Sequence, residues 1–395
     1  MHEQAHAPFG TAVQPFAEPR SRLLQLDFLL LLATIGLIVF GVITLNGAIT
    51  INSGYFVSRQ IAYGVIGLVL MLVVARFDYS RFRELRLALY GAAIGLILLV
   101  LAAGGVTRGS RRWLELPFLR FQPSELGKLL LVLALSAFVL ERVRRRSERE
   151  ITARIMLLAI VPTLLVMVQP DIGTGIVYIA IAFTVLFIAG TKWTHFAALG
   201  ALTVAAVCAV LVVAPALGTP VLKHYQTDRL TAFLHKDNAD PKSEGYQLKQ
   251  AEIAIGSGGK TGRGPKKATQ TRLAFLPEGH TDFIFAVVGE QYGFVGGAIV
   301  LSLYALLIWR ALRILTLAKN LYGALVAGGV AAMLMTQTFI NVGGNVGIMP
   351  ITGIPLPLMS YGGSSVIVTL MAVGLLQSVY VQARQAARAK QETIS

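Results

Sequence analysis

The chain has 395 residues, 55% of them hydrophobic and only 14% charged, with a formal net charge of +15 and a mean hydropathy of +0.67. A soluble domain carries about 25% charged residues, so this composition excludes a single soluble core and indicates a multi-span membrane protein. The basic excess has to be located before it is interpreted, because cytoplasmic loops collect Lys and Arg in any such protein.

Residues 1–22 hold prolines and scattered polar residues with no apolar core, and read as a disordered cytoplasmic tail rather than a signal peptide. Apolar runs long enough to span a bilayer, about 17–25 residues, then follow near 28–45, 59–75, 86–104, 123–140 and 154–168. Five more lie near 172–189, 195–217, 282–309, 320–343 and 361–383. The expected fold is therefore an all-α polytopic membrane domain of ten transmembrane helices over residues 23–385, closed by a short cytoplasmic tail over 386–395. Spans five and six are separated only by Gln169-Pro170-Asp171, where proline breaks the helix and forces a tight re-entry. Cys208, the single cysteine, lies in an apolar run, so no intrachain disulfide is available.

Orientation follows from the basic residues between spans. With the N-terminus inside, the inner segments carry 19 Lys and Arg against five in the short outer connections. The densest inner segment is "ERVRRRSERE", Glu141 to Glu150. Both termini are expected on the cytoplasmic side of the membrane. The outer connection over 218–281 holds ten basic and six acidic residues, but long loops translocate largely regardless of charge. A connection of that length implies function. Its "GSGGKTG" lacks the flanking strand of a phosphate-binding loop, and nucleic acid is not an expected partner.

In this topology every even-numbered span starts at the outer face. The four starts read "FQPSELGK", "QPDIGTG", "GHTDFIF" and "SYGGSS". Three place a carboxylate (Glu125, Asp171, Asp282) in the first turn, and the fourth offers hydroxyls and flexible backbone N–H groups. Helix N-termini carry unpaired N–H groups and partial positive charge, so four together suit an anion. Each feature has a plainer reading. Asp171 and Asp282 fit ordinary N-caps, and Glu125 with Lys128, three apart with the acid first, fits a structural pair on one helix face. Facing lipid would cost each a few kcal/mol, so both are expected to face the bundle interior. Glu290 reads as a satisfied interior polar group, and His280 as a base or a packing group.

Taken together, "YQTDRLTAFL", "IAIGSGG", "LAFLPEGHTDFIFAVVGE" and "NVGGNVGIMPITGIPLPLMSYGGSS", with "RRWLELPFLRFQPSELGK" and "QPDIGTG" upstream, resemble the RodA/FtsW/SpoVE (SEDS) proteins over about residues 25–385. "TGIPLPLMSYGGSS" is more similar to the RodA branch. The Lys260–Lys267 stretch is more basic than the family pattern. The resemblance implies a peptidoglycan glycosyltransferase that polymerises lipid II at the outer face of the bacterial cytoplasmic (inner) membrane, serving cell elongation and shape. It implies a class B penicillin-binding protein as transpeptidase partner, beside other cell-wall elongation machinery. The family's essential aspartate maps onto Asp282, expected as general base, and its acid–lysine pair onto Glu125 and Lys128. Arg229, Lys128 and the helix starts at Ser360, Tyr361 and Ser364 would hold the diphosphate, with His280 and Thr281 supporting. No nucleotide cofactor is needed; a divalent cation, magnesium or manganese, is compatible. The alternatives are an FtsW-like division polymerase, a lipid II flippase, and a non-catalytic scaffold for the penicillin-binding protein.

Overall fold

The computed structural model describes residues 25–48, 53–107, 110–115, 120–142, 148–208, 244–273, 275–276 and 278–392. Its elements in chain order are α1 (Phe28–Ala48), α2 (Ser53–Arg76), a 3-10 turn (Tyr79–Arg83) and α3 (Arg86–Ala103). Three short strands follow, β1 (Gly105–Thr107), β2 (Ser110–Glu115) and β3 (Arg120–Phe121). Then come α4 (Pro123–Arg142), α5 (Glu148–Val168), α6 (Ile172–Ile188) and α7 (Trp193–Cys208). The last five are α8 (Glu244–Gly258), α9 (Thr269–Arg272), α10 (Ile284–Leu317), α11 (Leu321–Asn345) and α12 (Gly363–Glu392).

Eight of these helices are long and apolar enough to cross a membrane, and α6 is an apolar helix one residue short of that length. The chain is a multi-pass membrane protein. Its helices are apolar on two sides for two reasons, which α1 illustrates. Leu30, Ala33, Leu37, Gly41 and Leu45 are buried at helical spacing, while Phe28, Leu32, Ile35, Val39 and Ile43 are exposed on the other side. In water the second set would be a liability; in lipid it is the outer surface.

The helices divide into a centre and a rim. Of the apolar windows of α4, α11 and α12, 83%, 78% and 83% of residues are buried, against 17% in α3 and 28% in α2. α4 packs on α3, α6 and α11, and α12 on α2 and α11. Six buried polar residues that would be costly in lipid (Glu125, Lys128, Gln337, Asn341, Asn345, Gln377) sit on the three central helices.

The structure adds detail in three places and corrects one expectation. The link between α3 and α4 carries the small sheet: β1 pairs antiparallel with β2, and β2 with β3. The described part of the 218–281 connection is largely helical, with α8 packed along α10; residues 218–243, including Arg229, lie outside the described residues, as does the 1–22 tail. The 386–395 tail continues α12 as helix to Glu392. Finally, α10 starts at Ile284, not at Asp282, and is broken at Gly293 (φ 63°, ψ −159°).

Candidate active site

The hairpin between α5 and α6 sets the first wall. Asp171 caps α6: its Oδ1 accepts from the Thr174 N–H (3.1 Å) and its Oδ2 from the Thr174 hydroxyl (2.9 Å). The same Oδ2 accepts from Gln122 Nε2 at 3.0 Å and from the Ser124 hydroxyl at 3.4 Å. Capping was the plainer reading of Asp171, and it holds, but the cap also ties the start of α6 to the start of α4. Tyr178, one and a half turns into α6, donates to the Ser124 carbonyl at 3.0 Å. Arg112 on β2 donates to the carbonyls of Gln169 and Pro170, so the small sheet braces the hairpin.

The start of α12 joins next. The Ser364 hydroxyl accepts from the Gln122 N–H and donates to the Arg120 carbonyl, both at 3.0 Å. Upstream, the Ser360 hydroxyl donates to the Thr281 carbonyl (2.6 Å) and accepts from the Leu356 N–H (2.8 Å). The Tyr361 N–H donates to the His280 carbonyl at 2.9 Å. From α2, Gln60 donates to the Ser360 carbonyl and accepts from the Gly362 N–H. His280, Phe56 and Tyr361 form an aromatic cluster with ring centroids 5.1–6.0 Å apart. Ser360 and Ser364 are thus buried and engaged with backbone, which makes them fasteners of the site's loops.

Asp282 sits where these loops meet α10 and α11. Its carbonyl accepts from Asn341 Nδ2 and from Asn345 Nδ2, both at 2.9 Å. Asn345 Oδ1 in turn accepts from the Ala286 N–H (3.0 Å), satisfying one of the orphan donors in the first turn of α10. Asn341 also donates to the Ile354 carbonyl at 2.8 Å. The N-cap residue of α10 is Phe283, whose own side chain makes no capping bond. Asp282 is therefore not the cap that its sequence position suggested. Its backbone is pinned, and the residue, half-buried, borders a recess of about 10 Å³ with Asn341, Asn345, Thr352 and Ile354, room for about one water. Beside it the Thr281 hydroxyl donates to Glu278 Oε2 at 2.9 Å.

Glu125 and Lys128 form an ion pair of 2.6 Å, with side chains 3% and 1% exposed. The pair faces the bundle interior, as its residue types require. Glu290 also matches its expected character. Its two carboxylate oxygens accept from the N–H groups of Gln270 and Thr271 and from the Thr271 hydroxyl, at 2.5–3.0 Å. Gly258 and Gly262 of "GSGGKTG" are structural. A Cβ on Gly258 would collide with the Gly289 carbonyl, and Gly262 (φ 83°) faces the Gln291 carbonyl just as closely. That closeness lets the loop hydrogen-bond to α10 where Gly293 interrupts it.

All four anticipated helix starts are thus joined in one hydrogen-bonded assembly. The Asn341–Asn345 brace, Gln122 and Gln60 were missed as site residues. The signal for the brace was present: two asparagines one turn apart in an otherwise apolar helix must find partners inside the protein. Among the described residues no group of three or more His, Cys, Asp or Glu could hold a metal ion.

A bundle whose helix starts converge on a pinned aspartate, above a buried acid–lysine pair, defines a polytopic membrane protein with one polar mouth. The cell cycle protein family of FtsW, RodA and SpoVE matches residues 22–385, and the chain belongs to that family. It is 38% identical to the peptidoglycan glycosyltransferase MrdB of Escherichia coli K12, over 90% of this chain and 94% of the relative. It is 35% identical to stage V sporulation protein E of Bacillus subtilis, over 89% and 96%. Among solved structures it is similar to a chain of a peptidoglycan synthase complex that coordinates polymerization and crosslinking (TM-score 0.76, 33% identity, 91% of this chain and 99% of that one). It is also similar to the rod shape determining protein RodA of Thermus thermophilus (TM-score 0.65, 30% identity, 90% and 96%).

Proposed function

We propose that this protein, a peptidoglycan glycosyltransferase like its named relatives, polymerises lipid II at the outer face of the cytoplasmic membrane in the RodA-like branch of wall synthesis. The observation that carries the reading is the mounting of Asp282. Two asparagines hold its carbonyl, leaving a half-buried carboxylate at the meeting point of α10, α11 and the Ser360–Tyr361 loop. Asp282 takes the proton from the acceptor sugar hydroxyl as that oxygen bonds to the donor's anomeric carbon. The bond from that carbon to the diphosphate oxygen breaks, and undecaprenyl diphosphate departs. Its negative charge is met by the N-terminal ends of α4 and α12, with Arg229 of the long connection. Lys128, enclosed at 1% exposure, acts from inside the bundle through its pair with Glu125 rather than by direct contact. His280, Thr281 and Tyr361 line the approach to the aspartate. The donor brings its own leaving group, so no nucleotide is required. A class B penicillin-binding protein would crosslink the product. Both termini lie on the cytoplasmic side, following the distribution of Lys and Arg.

The test is lipid II polymerisation by the purified protein, with and without that partner and with chelator, comparing wild type with Asp282→Asn. The substitution removes the base but not the backbone carbonyl that Asn341 and Asn345 hold. Folding should persist while glycan synthesis falls about a hundredfold to ten-thousandfold. Full polymerisation by Asp282→Asn would overturn the assignment. Protein that moves lipid II across vesicles and never lengthens a chain would replace it with a flippase.

A further inference from the structure

Residues 258–273 contain five basic side chains, Lys260, Arg263, Lys266, Lys267 and Arg272, and no acid. All five are exposed. Among the described residues the three lysines pair with no carboxylate, although α8, α9 and α10 pack around their loop. The acid nearest in sequence on α10, Glu290, is turned to the Gln270 and Thr271 amides.

The loop is held by backbone. Arg263 N–H donates to the Glu290 carbonyl and Gly264 N–H to the Gln291 carbonyl, each at 2.9 Å. In return Phe294 and Val295 donate to the carbonyls of Gly259 (2.9 Å) and Lys260 (3.1 Å). These bonds satisfy the groups that the Gly293 break frees, as a membrane environment requires. The Arg263 guanidinium braces the loop further on the Ser257 carbonyl (2.9 Å), and Arg272 on the Lys266 carbonyl (2.6 Å).

The break also fixes depth. On α10 every residue from Ile284 to Gln291 is buried, whereas large exposed apolar side chains begin at Phe294 and Val295 and run to Trp309, Leu312 and Leu317. From Phe294 to Leu317 the helix rises about 36 Å, which crosses a hydrocarbon layer about 30 Å thick. Gly293 therefore stands at the boundary between hydrocarbon and headgroups, and the basic loop is bonded to the residues on either side of it. From the start of α10 to this boundary is about 13 Å along the helix, which separates the cations from the Asp282 mouth.

We propose that Lys260, Lys266 and Lys267 form a binding site for the phosphate of an anionic phospholipid, fixed at headgroup depth beside the break in α10. A solvated loop would hold such cations at no defined height. Here two pairs of backbone bonds set them at the plane where phospholipid phosphates lie. The site is independent of the glycosyl chemistry and depends only on α10 crossing the membrane.

The test is a lipid competition on the purified full chain in nanodiscs of equal phosphatidylglycerol and phosphatidylcholine, with retained lipid counted by native mass spectrometry. An exposed cation near an anionic surface is worth about fivefold in affinity. The combined Lys260→Gln, Lys266→Gln and Lys267→Gln protein should therefore lose its preference for phosphatidylglycerol at least about tenfold at low salt. The corresponding three Lys→Arg substitutions should keep it. In the wild type the preference should fall as salt screens the contact, a measurement that needs no variant. An unchanged preference in the glutamine protein, or a salt-independent one in the wild type, overturns the proposal. Displacement by equimolar undecaprenyl diphosphate overturns it in favour of the substrate's leaving group. Displacement by millimolar inorganic phosphate overturns it in favour of a free anion.

Discussion

Among the described residues two buried ion pairs lie in this bundle, and they are built differently. Asp27 and Arg310 are 283 positions apart in sequence and join α1 to α10 through a bidentate contact. Asp27 also caps α1 through the Leu30 N–H (3.0 Å). Its own N–H and carbonyl are clasped by the Gln377 amide of α12. Every oxygen there has a partner and three helices are tied together. Glu125 and Lys128 are three residues apart on one helix and join nothing that α4 does not already hold. Burying two charges costs several kcal/mol per ion before their attraction returns any of it. At Asp27 that cost secures the packing of three elements. At Glu125 it joins no second element, and the role proposed for the pair lies in the site beside it, near Ser124, Asp171 and Tyr178.

The largest effect that separates the two pairs concerns Lys128. Lys128→Met leaves the Glu125 carboxylate buried and unpaired, a loss of about 3–5 kcal/mol that should show as poor yield and early thermal aggregation in detergent. Combining it with Glu125→Gln removes the stranded charge and should recover most of the folded protein, because buried pairs are often replaced by neutral groups without penalty. Polymerisation per folded molecule should nonetheless stay at least about tenfold down. Recovery of activity together with folding would make this pair architectural and erase the contrast with Asp27.

A smaller effect is expected at the other pair. Asp27 keeps the Leu30 N–H on its carboxylate and the Gln377 amide on its backbone when the arginine is lost. Arg310→Met should therefore cost about 3 kcal/mol, the lower end for breaking a buried pair. Adding Asp27→Asn should restore stability, and with it full polymerisation per folded molecule. A doubly substituted protein that folds yet stays inactive would mean that this end of the bundle communicates with the mouth.

The same contrast marks what was legible in the residues alone. Elements repeated along one helix were readable: the apolar spans, the Glu125–Lys128 spacing, the Pro170–Asp171 re-entry and the family motifs. Contacts between distant segments were not. Nothing local to Gln377 or Arg310 announces Asp27, and nothing local to Asn345 announces Asp282. The helix break at Gly293 was equally hidden, because its cause is the glycine loop over 258–264 docking against it. Asp282 was expected in the first turn of its span, and that detail was misread. A Thr-Asp pair before an apolar run looks like a cap, while the structure makes Phe283 the N-cap and fixes the Asp282 backbone from α11.

That brace gives the finest of the comparisons, between holding helices and aiming a base. Asn345→Ala removes the bonds from Nδ2 to the Asp282 and Asn341 carbonyls and strands the Ala286 N–H. Stability should fall by about 1–3 kcal/mol, the usual consequence of an unsatisfied buried donor. If the brace only packs α11 against α10, activity per folded molecule will not change, and the role assigned to it is wrong. If it aims the carboxylate, Asp282 loses one of two anchors while Asn341 keeps the other. A displacement on the order of 1 Å can cost about a hundredfold in rate. The partial anchor makes about tenfold in kcat the expected loss, with KM for lipid II nearly constant because the residues lining the approach are untouched. Asn341→Ala should match it in kcat. The double substitution should lose more than the product of the two, since each asparagine alone still restrains the same carbonyl oxygen.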